Sequence, residues 1–142
     1  MKLRKAPVVV RIYPKQVHKI DLLQELKIDR NNLDRELLRQ PARYGFWASL
    51  YSVTASKVAY LEEKREYLEA KLFKEYSVKG IRVTDVKLRV LRNEEFQQLT
   101  SRLRVWKDAE RTLKYAERAF TQRLSALQTV SANVRREWKG DD

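Results

Sequence analysis

Cysteine is absent from this 142-residue chain, and histidine is confined to His18. Those two gaps exclude disulfides, thiol nucleophiles, thiolate metal sites and HExxH zinc sites. There are three glycines, at 45, 80 and 140, too few and too scattered for a phosphate-cradling loop. No apolar run approaches the roughly 20 residues that cross a bilayer, and the basic start Met1 to Lys5 leads only into Val8 to Ile12, too short for a signal-peptide core. A cytoplasmic, non-enzymatic protein without cofactor, metal or membrane partner is expected. The aspartates and glutamates are interleaved with lysines and arginines at helix-surface spacing, which reads as a solvated face in preference to a carboxylate metal centre. They are also outnumbered: 19 acidic residues face 31 lysines and arginines, a formal net charge of +12. An excess of that size points to a polyanionic partner, DNA or RNA before membrane.

Where charge thins out, periodicity takes over. Pro7 and Pro14 bracket the β-branched run Val8 to Tyr13, a strand or extended basic arm within residues 1–20 that, as a lone strand, would need an edge on another subunit. His18 falls in a basic, loop-like stretch. Residues 21–142 read as one helical domain. Asp21 opens a short amphipathic turn with Leu22, Leu23 and Leu26, and Asp29 or Asn31 can cap a second piece with Leu33, Leu37 and Leu38, so that short helices occupy 21–39. Pro41 then separates them from a long helix over 42–77. In that helix Tyr44, Tyr51, Val58, Arg65 and Leu72 hold one heptad position and Trp47, Thr54, Leu61 and Leu68 the other. A connection with a short helix, capped by Thr84, fills 78–92. Asn93, followed by Glu94 and Glu95, caps a second long helix over 94–138, with Leu99, Leu103, Trp106, Leu113, Phe120, Leu124, Leu127, Val134 and Trp138 on its seam. The fold class is therefore all-α, a long antiparallel helical hairpin with short N-terminal helices and a strand-like arm. The three tryptophans, all at seam positions, are expected in the core.

Two basic stripes stand outside the seams. Lys57, Tyr60, Lys64, Tyr67, Lys71 and Lys74 follow at steps of three or four and so share one helix face, where cations track phosphates and tyrosine rings stack on unpaired bases. A second run, Arg104, Lys107, Arg111, Lys114 and Arg118, faces Glu62, Glu66 and Glu69 in the hairpin, so intrachain ion pairs are favoured there over nucleic acid. With Lys79 and Arg82 it forms a secondary candidate site. Arg65 is expected to meet Glu110. Val105, Ala109, Ala116, Ala119, Ala126 and Val130 make a small-residue flank, interrupted by Arg123, that either a neighbouring subunit or the chain's own 21–39 helices would cover.

The order of elements resembles the phage recombination mediators of the UvsY type. The resemblance starts at Asp21-Leu22-Leu23-Gln24-Glu25-Leu26, runs through Ile28-Asp29, Leu33 to Glu36, Tyr44 and Trp47, and reaches Leu68-Glu69-Ala70-Lys71-Leu72, which looks like the family's LKARL motif. It continues through the glycine-containing connection, Val90-Leu91, Leu99 to Trp106, and a closing helix with Arg135, Arg136 and Glu137. The resemblance implies binding of single-stranded DNA, a ring-like homo-oligomer, and loading of a RecA-like recombinase onto DNA covered by a single-stranded DNA-binding protein, in the host cytoplasm. Lys71 matches the second basic position of that motif. Glu69 departs from it, placing an acid where the family has its first basic residue. Residues alone leave two other readings open, an RNA-binding protein and a structural or adaptor oligomer whose charge serves solubility.

Overall fold

The computed structural model describes the backbone of residues 8–13, 16–20, 22–77 and 80–140, and the side chains of 22–77 and 80–140. The chain begins with a two-stranded antiparallel hairpin, β1 (Val8–Tyr13) and β2 (Gln16–Ile20), registered from Val8 opposite Ile20 to Tyr13 opposite Gln16 with an irregularity between Arg11 and Tyr13. This corrects two expectations. The arm pairs with its own chain instead of another subunit, and His18 lies in a strand.

Among the described residues the regular elements after the hairpin are all helical: α1 (Leu22–Leu26), a 3-10 turn (Arg30–Asn32), α2 (Leu33–Ser77), α3 (Val83–Arg92) and α4 (Glu94–Gly140). Asp29 caps the 3-10 turn, its carboxylate accepting from the Asn31 N–H at 3.0 Å, and the turn runs straight into α2. Asn93 caps α4 in the same way, accepting from the Phe96 N–H at 3.0 Å. The cap proposed for Asp21 lies outside the described residues. Thr84 does not cap α3, which begins one residue before it with Arg82 at the N-cap. Gly80, between α2 and α3, has φ of +64°, a conformation costing any residue with a Cβ roughly 1–2 kcal/mol.

Pro41 does not divide the helix: the short second piece and the long helix are one element of 45 residues. An interior proline costs a helix about 3 kcal/mol. Pro41 is exposed, and the residues flanking it are held by tertiary bonds: Gln40 Nε2 donates to the Phe120 carbonyl at 2.7 Å, and Arg43 Nη1 bonds the Glu25 carbonyl and the Glu36 carboxylate.

Contacts group the chain into two compact units, Met1–Ser52 with Arg111–Asp142, and Val53–Glu110. In the second unit Val58, Leu61, Leu68 and Leu72 of α2 pack with Val90 of α3 and Phe96, Leu99 and Leu103 of α4. In the first, Trp47 and Leu50 pack with Leu113, Ala116 and Phe120, and Leu22, Leu26 and Tyr51 close over them. The Trp47 and Phe120 rings are stacked at 5.9 Å. Trp47, Val58, Leu61, Leu68, Leu72, Leu99, Leu103, Leu113 and Phe120 are heptad positions read from the sequence, each fully buried Leu worth about 1.5–3 kcal/mol, whereas the seam positions Tyr44, Leu124 and Trp138 are exposed. Within each unit α2 and α4 run antiparallel. Tyr76 meets Asn93 and Lys57 meets Trp106 in one; Glu36 meets Arg123, Gln40 meets Phe120 and Tyr44 meets Glu117 in the other.

Arg123 is a buried anchor. Only 4% exposed, it donates to the carbonyls of Leu26 and Lys27 at 3.2 and 2.8 Å, to Gln40 Oε1 at 2.6 Å, and to the Glu36 carboxylate. It thereby satisfies carbonyls at the end of α1 that have no helical partner and ties that segment to both long helices. Burial alone would raise the Glu36 carboxyl; the hydrogen bond and charge of Arg123, with the charge of Arg43 and a backbone bond at Asp29, outweigh it and hold the group below its ordinary value.

Candidate nucleic-acid interface

The Lys57-to-Lys74 stripe lies wholly on α2 within the second unit. At 1.5 Å per residue it is about 25 Å long. Lys64, Tyr67, Lys71 and Lys74 are exposed, as is Tyr60; Tyr60 and Tyr67 show 54% and 73% of their surface. Among the described residues no carboxylate forms an ion pair with Lys64, Lys71 or Lys74, although Glu63, Glu69 and Glu75 are near in sequence. Lys57 is half-buried, with its Nζ 5.2 Å from the Tyr60 ring centroid and 5.9 Å from that of Trp106. Both distances are within cation–π range. Lys57 thus ties the start of the stripe to the core, while the other members reach into water.

The second stripe departs from expectation. Among the described residues a rung of the anticipated ladder is present: Lys107 Nζ is 2.6 Å from Glu62 Oε1. Glu66, four residues on, is turned about 40° further from the core and is exposed, as are Glu69 and Arg104. In the first unit, Tyr44 Oη donates to Glu117 Oε1 at 3.0 Å, a bond that with the carboxylate's charge raises the phenol's pKa. This bond places the stretch from Tyr44 to Ser52, which contains no Asp or Glu, beside α4 where Lys114 and Arg118 project. Lys114 and Arg118 therefore have no ion-pair partner among the described residues. Arg65 and Glu110 are half-buried and form no pair either, because the register set by Lys107 and Glu62 carries them past each other.

Lys57 meets Trp106 while Glu62 meets its neighbour Lys107, so in the second unit the two stripes emerge on opposite flanks of the helix pair. Arg82 is exposed at the start of α3; Lys79 lies outside the described residues. One member of the second stripe escaped the sequence reading: Tyr115, 59% exposed, sits four residues from Arg111 and three from Arg118, the same spacing that marked Tyr60 and Tyr67.

Of the expected subunit interface, Ala116 is excluded, being fully buried in the chain's own core. Val105 and Ala126 are exposed; Ala109, Ala119 and Val130 are half-buried. Of the tryptophans, Trp47 is buried and Trp106 half-buried, but Trp138 is exposed, two residues before the end of α4. No group of His, Asp or Glu among the described residues could hold a metal ion, and no described helix is long and apolar enough to cross a membrane. The chain matches no protein-family model, no curated protein and no solved structure.

Proposed function

We propose that this protein binds single-stranded DNA on the Lys57–Lys74 face of α2 and, as a homo-oligomer, presents it to a RecA-like recombinase in place of a single-stranded DNA-binding protein. The observation that carries the binding reading is the pairing of two exposed tyrosines with three lysines that no described carboxylate neutralises. On such a face no intrachain ion pair has to be broken for a strand to bind, and it offers both counterion release and stacking. Duplex bases are already stacked, so the rings favour single strands. The recombinase and single-stranded DNA-binding protein enter through the resemblance to UvsY-type mediators. Multivalency supplies the mechanism: a few weak phosphate contacts per subunit, repeated around a ring-like assembly, give tight and salt-sensitive binding.

Lys64→Ala with Lys71→Ala is expected to weaken binding of a labelled oligothymidylate and to flatten the plot of log affinity against log salt by about 1.4, or 0.7 per lost contact. Far-UV circular dichroism should stay the same, since both lysines are exposed. Unchanged affinity and slope would remove this face as the binding site, and an RNA oligonucleotide competing more strongly than DNA would assign it to RNA.

Sedimentation velocity across the micromolar range is expected to show a concentration-dependent oligomer, with Val105→Glu shifting it toward monomer. A single monomeric species in the unmodified protein would rule out the multivalent mechanism.

A further inference from the structure

Trp138 occupies a seam position, where the heptad calls for burial, yet 79% of it is exposed. It forms one side of a groove of about 680 Å³ in the first unit, between the start of α2 and the last turns of α4. That is within the range of about 300–1,000 Å³ typical of small-ligand sites. Leu37 and Val134 supply an apolar floor beside the indole, while Arg30, Asn31 and Arg135 supply donors. Arg135 has no ion-pair partner among the described residues. Arg30 has one, Glu137 at 3.5 Å, but both side chains are about two-thirds exposed, and a pair of that kind contributes only about 0–1 kcal/mol, little for an incoming anion to displace.

We propose that this groove takes one nucleotide of a single strand, its base stacked on the Trp138 indole and its phosphate held by Arg135. The inference rests on the nucleic-acid reading of the chain but uses none of the α2 stripe. Charge selects the occupant. The lining residues carry two guanidinium groups, Arg30 and Arg135, to which a nucleotide's phosphate brings the opposite sign. Asp34 also lines the groove. It repels a second phosphate and accepts a hydrogen bond from a base amino or imino group, which suits a single nucleotide with its phosphate on the arginine side.

The protein reports on this site itself, because Trp47 is buried, Trp106 is half-buried and Trp138 is exposed. Titration with thymidine 5′-monophosphate at low salt is expected to quench tryptophan emission, thymidine and inorganic phosphate each doing so far less. Trp138→Phe should abolish the quench, Arg135→Gln should weaken apparent affinity at least fivefold, and Lys64→Ala with Lys71→Ala should leave it within twofold. No quench at millimolar nucleotide, or a quench that survives Trp138→Phe, overturns the proposal. Inorganic phosphate competing as well as the nucleotide also overturns it, reducing the groove to an anion site. So does loss of the oligomer in Trp138→Phe, which would make the groove a subunit contact. Failure of the stripe reading shows separately, as oligothymidylate affinity that is indifferent to Lys64 and Lys71.

Discussion

Replacing Arg123 with methionine is expected to lower the unfolding free energy by about 3–5 kcal/mol, the usual consequence of removing one partner from a buried charge pair. At this chain length that corresponds to a fall in Tm of roughly 10 °C. The loss arises because Glu36, with 14% of its side chain exposed, keeps its charge and loses its principal counterion, while Gln40 and the carbonyls of Leu26 and Lys27 lose a donor. Adding Glu36→Gln to the variant should restore a large part of the stability. Thermal melts of the three proteins make the comparison, and a single variant within 1 kcal/mol of the parent would deny Arg123 its anchoring role. Acid titration supplies a second check. The folded Glu36 pKa lies below its ordinary value of 4.5, so its contribution is complete above that value and disappears as pH falls through the lower, folded one. The stability gap between parent and Arg123→Met should therefore narrow below pH 4.5.

Tyr60→Ala with Tyr67→Ala is expected to reduce affinity for single strands by roughly 1–3 kcal/mol for each base that loses its platform. The slope of affinity against salt should hardly move, since no phosphate contact is removed. Phenylalanine at both positions should keep the affinity, because stacking needs the ring and the hydroxyl groups have no assigned role. Oligothymidylate binding over a salt series would measure all of these. Full affinity in the alanine variant would mean that the lysines hold a polyanion without touching bases, and duplex DNA should then bind equally well.

The two sites differ in how far the sequence alone reveals them. The α2 stripe was legible because a helix maps spacing onto a face by geometry: steps of three and four from Lys57 to Lys74 place the side chains together whatever the helix packs against. Exposure followed from the same arithmetic, since Leu61, Leu68 and Leu72 claim the opposite face for the core. The groove beside Trp138 was not legible. Heptad position predicts burial for that residue, and its exposure depends on what the start of α2 sets beside the last turns of α4. The pairing of the second stripe is legible only in part, for a related reason. Its charges and the matching acids are plain in the sequence, but their pairing requires the axial register and the rotation of two helices, and Glu66 is turned about 40° further from the core than Glu62.

Local interactions thus determined most of the secondary structure: heptads for the long helices, Asp29 and Asn93 for two of their starts, and Gly80 for the connection. Tertiary structure decided what depends on residues distant in the chain. Helix α2 continues through Pro41 because Gln40 and Arg43 on either side are fixed by Phe120, Glu25 and Glu36. Arg123, which looked like a break in an apolar flank, becomes its anchor because four acceptors from α1, α2 and the segment between them converge on one guanidinium. Periodicity specifies which face of a helix turns inward, but it carries no information about what will meet that face or at what height. Those are settled only when long-range contacts make up for the desolvation of buried polar groups, and no local pattern records that balance.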